Sequence, residues 1–113
     1  MQDPLRTWMY HNVLFPFPSM PDRRKLQSQT NMPLSNINGW FSNIRRRCGW
    51  NTLCTKWAEG DRLRMRELMI RCFMGQVTDE GLIKEVVDVI DYVLGKTRGT
   101  VGSWLTEVSK IIE

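Results

Sequence analysis

Between Asn36 and Arg47 the chain reads Asn-Ile-Asn-Gly-Trp-Phe-Ser-Asn-Ile-Arg-Arg-Arg. Wound as an α-helix of about 3.6 residues per turn, this run places Ile37, Trp40, Phe41 and Ile44 on one stripe. Asn43, Arg46 and Arg47 then project from the opposite side, with Gly39 and Ser42 beside them. One face must be buried in a small core, which fixes the helix against other elements. The other offers an amide that matches the edge of adenine, and guanidinium groups that match guanine or phosphate. That pairing is the chemistry of a helix that reads the major groove of DNA.

The flanking sequence divides into further short helices. Leu5, Trp8, Met9 and Val13 are spaced by three and four, which predicts a first helix over about 5–13, ended by Pro16 and Pro18. Ser19 is placed to cap a second helix over 21–30, with Pro21 in its first turn, Leu26 pointing inward and Asn31 as a left-handed stop. Pro33 has no side chain that can cap the following helix, so Ser35 or a looser first turn must compensate. After Gly49 the pattern changes. Leu53, Trp57, Leu68, Met69, Cys72 and Phe73 predict one or two amphipathic helices, broken near Gly60. Thr78 and Asp79 open a further helix with Leu82, Val86, Val89, Ile90 and Val93 inward and Gly95 as terminator. A last helix over 101–112 carries Trp104, Leu105, Val108 and Ile111, and is expected to pack on the one before it through the Gly95–Gly102 turn. The fold class is all-α.

The run at Trp40–Arg45 resembles the third helix of a homeodomain, for which Trp-Phe-x-Asn-x-Arg is diagnostic. Leu5, Trp8 and Met9 resemble the apolar end of helix 1, and Pro21 to Thr30 resembles helix 2. Pro16-Phe17-Pro18 is similar to the Pro-Tyr-Pro insertion of the three-amino-acid-loop-extension (TALE) class, and the spacing from Leu5 to Trp40 fits only with that insertion. The Arg45–Trp50 continuation and a Val-Gly-x-Trp element at Val101–Trp104 are similar to fungal mating-type homeodomain proteins. The resemblance implies a three-helix helix-turn-helix domain over residues 1–50 and an α-helical extension over 51–113. It also implies that the basic arm and the first turn of helix 1 common in the family are absent ahead of Leu5, so the homeodomain is N-terminally truncated.

Roles follow from the resemblance and helix geometry together. Asn43 is expected to contact adenine, with Arg46, Arg47, Ser42 and Gly39 as the other base-facing positions. Gly39 has no side chain to read with, and Ser42 is permissive, so the arginines carry any guanine preference. Arg45 is expected on a phosphate, joined by Arg23, Arg24 and Lys25, which open the second helix. Leu5, Trp8, Met9, Leu26, Ile37, Trp40 and Phe41 are expected to form the homeodomain core. The plainer reading of the basic runs is a solvated surface or a nuclear-import signal, and import is compatible with DNA contact.

Composition narrows the classes. The net charge of +4 divides into +6 over residues 1–56 (eight Lys/Arg, two acids) and −2 over residues 57–113 (eight Lys/Arg, ten acids). The front half is therefore expected to meet a polyanion and the back half not. Cys48, Cys54 and Cys72 include no Cys-x-x-Cys pair, and His11 is the single histidine, so neither a zinc framework nor a catalytic base is expected. The three glycines of Gly95–Gly102 lack dinucleotide-loop spacing. No enzyme activity, cofactor, metal or membrane span is expected. The expected function is sequence-specific binding of double-stranded DNA in the nucleus as a transcription factor, with a second homeodomain protein as heterodimer partner, in fungal mating-type or developmental regulation. The alternative is a degenerate homeodomain that dimerises and binds DNA weakly or not at all; the expected lack of the arm and Gly39 favour it, and the intact Asn43–Arg47 run opposes it.

Overall fold

The computed structural model describes residues 3–95, which form six α-helices and no strand. The expected helix over 101–112, with Trp104, Leu105, Val108 and Ile111, and the Val101–Trp104 element lie outside the described residues. The helices are α1 (Pro4–His11), α2 (Met20–Thr30), α3 (Leu34–Arg47), α4 (Trp50–Ala58), α5 (Arg62–Phe73) and α6 (Glu80–Val93).

Local chemistry sets most of the boundaries. The Asp3 carboxylate accepts from the Leu5 and Arg6 amides and starts α1. That helix ends earlier than its apolar spacing predicts, at His11. The Asn12 side chain donates to the Trp8 carbonyl at 2.9 Å, and its amide reaches both Trp8 and Met9, which closes the last turn before the prolines are met. Ser19 and Asp22 form a reciprocal capping box at the start of α2, and Asn31 ends it with φ 58°. Pro33 precedes α3 without a side-chain cap; its carbonyl accepts from both the Asn36 and Ile37 amides, at 3.0 and 3.2 Å. Asp61 and Asp79 cap α5 and α6 through their carboxylates.

The turn that decides the architecture is at Gly49, whose φ of 95° is strained for any residue with a Cβ. It stops α3 after Arg47 and swings the chain so that Trp50, the first residue of α4, drops into the interior. Trp50 is 1 % exposed; its indole N–H donates to the Val13 carbonyl at 3.0 Å and its ring meets Phe17 edge-on. The residue expected to end the homeodomain is thus among its most buried side chains.

The α2 and α3 helices form the helix-turn-helix pair, and α1 packs on α2. Beneath them α4 packs on α3 and α5, while α6 returns to lie against α1 and α4. Leu5, Met9, Leu26, Ile37 and Phe41 are buried, as are Val13, Ile44 and Cys48; Trp8 and Trp40 are half-buried and meet Phe41 edge-on. Leu53, Met65, Met69, Leu82, Val86, Val89, Ile90 and Val93 continue the same cluster. No gap in packing falls at residue 50. Arg6 fastens the two ends: its guanidinium donates to the carbonyls of Tyr92 and Val93, at the C-terminus of α6 where a cation is favoured. The apolar face of α6 is filled by α1 and α4 within the described residues.

Candidate nucleic-acid interface

The buried stripe of α3 turns its other side outward. Gly39, Ser42, Asn43, Arg46 and Arg47 are all exposed, on a face whose reverse is pinned by Ile37, Phe41 and Ile44. Arg46 donates to the Asn43 side-chain carbonyl at 3.3 Å, one turn away, which keeps both groups on the open surface. A Cβ placed on Gly39 would meet nothing within 4 Å, so the surface there is open space that a duplex edge could enter. The arrangement presents donors and acceptors to a partner on a rigid element.

The four expected phosphate ligands separate into two kinds. Arg23 and Arg45 line one cleft with Phe17, Pro18, Asn38, Phe41 and Ser42. Arg23 donates to the Asn38 side-chain oxygen at 3.0 Å, which holds its guanidinium toward α3. Arg45 donates to the Pro16 carbonyl at 2.9 Å and to Ser42 Oγ at 3.4 Å, and its guanidinium carbon sits 4.4 Å over the Phe17 ring. Burial, and then the charge of Arg62, lower its pKa from the ordinary arginine value. Arg24 and Lys25 do not join them. Successive helical residues are turned by roughly 100°, so Arg24 faces the groove beside Met32 and Pro33, and Lys25 the groove between α1 and α2.

Other chemistry is sparse. His11 is exposed and stacks edge-on with Tyr10. Among the described residues no group of His, Cys, Asp and Glu is placed to hold a metal ion, and no helix is long and apolar enough to cross a membrane. Cys48 is buried beside α4, and burial pushes its thiol up to about 11. Two contributors to this face escape a reading of the sequence. Asn38 buttresses Arg23, and Arg62 of α5 lies over Phe17. The second had one available signal: it opens a helix, where a cation is unfavourable.

With this geometry in place, comparison with known proteins gives a consistent class. Residues 8–47 match the Homeobox KN domain, the TALE type of homeodomain, and the all-α fold is consistent with a homeodomain followed by a helical extension. Homeobox protein PKNOX2 of Homo sapiens is 37% identical over 43 residues, 38% of this chain and 9% of that protein. Homeobox protein PKNOX1 of Mus musculus is 35% identical over 43 residues, 38% of this chain and 10% of its own length. Homeobox protein TGIF2LX of Macaca mulatta is 46% identical over 43 residues, 38% of this chain and 17% of that protein. The family match begins within α1 and ends with α3, and the chain spans 9% of the length of the first of these relatives. No solved structure matches the chain.

Proposed function

We propose that this protein binds double-stranded DNA through α3 laid in the major groove and acts as a transcription regulator in the nucleus. The observation that carries the reading is the exposed row Gly39, Ser42, Asn43, Arg46 and Arg47 on a helix whose opposite face is buried. Asn43 reads adenine by accepting from N6 and donating to N7, Arg46 and Arg47 supply guanine contacts, and Ser42 and Gly39 leave room for more than one base. Arg45 and Arg23 hold backbone phosphates from their shared cleft, with Arg24 and Lys25 adding longer-range attraction. Residues 1–50 are the DNA-reading unit in this proposal, and 51–113 the extension that supports it. A second homeodomain protein is the expected partner in this reading, and the resemblance of the Arg45–Trp50 run supports a role in fungal mating-type or developmental control.

The test is a gel-shift titration of the chain and Asn43→Ala against a selected site and a random duplex. Asn43→Ala should lose about 1–3 kcal/mol on the selected site and almost nothing on random DNA. Equal losses on both would falsify base readout by Asn43. Failure of the wild-type chain to select any site would favour the second reading, a dimerisation module. That reading draws on the engagement of Arg45 with Pro16 and Phe17 within the chain itself.

A further inference from the structure

The extension contributes a charge to the face just described. Arg62, the first residue of α5, is exposed, and its guanidinium carbon lies 4.0 Å over the ring of Phe17. Arg45 occupies the same ring at 4.4 Å. Two like charges therefore meet on one aromatic side chain, beside the cleft that also holds Arg23. The ion pairs among the described residues are Lys56–Glu85 and Arg64–Glu59, so neither brings a carboxylate to this cluster. Asp61, the neighbouring acid, is committed to capping α5, its carboxylate accepting from the Leu63 and Arg64 amides at 3.0 and 3.1 Å.

Helix stability does not explain this placement. A cation in the first turn faces the positive end of the helix dipole, and here it also faces Arg45. The mutual repulsion depresses the Arg45 pKa after burial has done so. What relieves such a cluster is an anion placed between the guanidiniums, and phosphate, with several acceptor oxygens, suits two planar forks. Nor is α5 acidic like the half of the chain that contains it: Arg62, Arg64, Arg66 and Arg71 stand against Glu67 alone within the helix.

We propose that Arg62, outside the homeobox-like residues, joins Arg45 in a two-arginine clamp on one DNA backbone phosphate, so that α5 extends the footprint of α3. This rests on the DNA-binding function proposed above. It makes the extension part of the interface and not only a support for it.

Because phosphate contacts are independent of sequence, the full chain can be titrated against a labelled random-sequence duplex over a range of salt. Arg62→Gln should weaken binding about three- to tenfold near 0.15 M salt and lower the slope of log K against log salt measurably, but by less than the roughly 0.9 of a whole phosphate contact, because Arg45 stays on that phosphate. Arg62→Lys should restore most of the slope. Arg71→Gln removes the same charge from α5 at a position turned about 180° away, and should leave the slope unchanged. Melting temperatures of all three variants should match the wild type. Wild-type binding with an unchanged slope in Arg62→Gln, or equal effects of Arg62→Gln and Arg71→Gln, would overturn the clamp while leaving DNA binding by α3 intact. A lowered melting temperature with an unaltered slope would also overturn it, showing a stacking role on Phe17 only. A wild-type chain without salt-dependent binding to any duplex would remove both proposals.

Discussion

At the scale of single residues, side chains on one regular helix were readable and side chains placed by a turn were not. The outward row of α3 follows from helical spacing alone, because its buried partners Ile37, Phe41 and Ile44 repeat at three and four. Trp50 follows a glycine at φ 95°, where periodicity stops, and nothing local says whether the chain turns inward. Phe17 and Arg62 are distant in sequence, and their contact exists only once α4 and α5 have folded back. Trp50 therefore offers a sharp test of what the turn achieves. Trp50→Ala removes a fully buried ring and should cost about 3–5 kcal/mol, much of the stability of a small domain. Trp50→Phe keeps most of the apolar volume but leaves the Val13 carbonyl without its indole donor, and should cost about 1–3 kcal/mol. Urea unfolding measures both. A Trp50→Phe variant as stable as wild type would mean that the buried hydrogen bond contributes nothing.

At the scale of elements, caps were legible and partners were not. Ser19, Asn31, Asp79 and Gly95 each announce a boundary because their chemistry is local: a short acceptor at a free amide, or a left-handed residue at an end. The apolar face of α6 was equally plain, but an apolar face carries no address. Leu82, Val86, Val89, Ile90 and Val93 are covered by α1 and α4, and polar contacts fix the register. Glu85 on α6 accepts from Lys56 Nζ at 2.6 Å and from the Trp57 indole at 2.8 Å, both on α4. These bonds, Lys56 first, hold the Glu85 carboxyl below its usual range. A depressed acid stabilises the fold above the unfolded carboxylate pKa of about 4.3, and that contribution disappears as pH falls through the folded value. Both partners are substantially exposed, so solvent screening keeps the effect within the range of about 0.2–1 kcal/mol usual for such pairs. Glu85→Gln should be slightly less stable than wild type at pH 6, and the difference should shrink as the pH is taken below the unfolded carboxylate value of about 4.3. A difference that stays constant over that interval would show that the charge of Glu85 plays no part.

At the scale of the whole molecule, averaging by halves hid what the fold assembles. The net +6 of residues 1–56 and −2 of residues 57–113 describe two strings, but α5 inside the second is basic, and its first residue reaches the first. The same holds for the core. A boundary at residue 50 describes where the family pattern ends, yet the apolar cluster runs from Leu5 through Trp50 to Val93 without interruption, and Arg6 binds the last turn of α6 to α1. A single core implies a single cooperative unit, because opening either half strands apolar surface on the other. Val89 tests this well: it is 2 % exposed, belongs to α6, and sits across from Gly49 at the end of α3. Val89→Ala should cost about 1–3 kcal/mol. In native-state hydrogen exchange the most protected amides of α3 and α6 should report the same opening free energy, and Val89→Ala should lower both by the same amount. Loss of protection in α6 alone, with α3 unchanged, would mean that the first three helices fold independently of the extension. The basic face of α3 would then owe its geometry to the first three helices only.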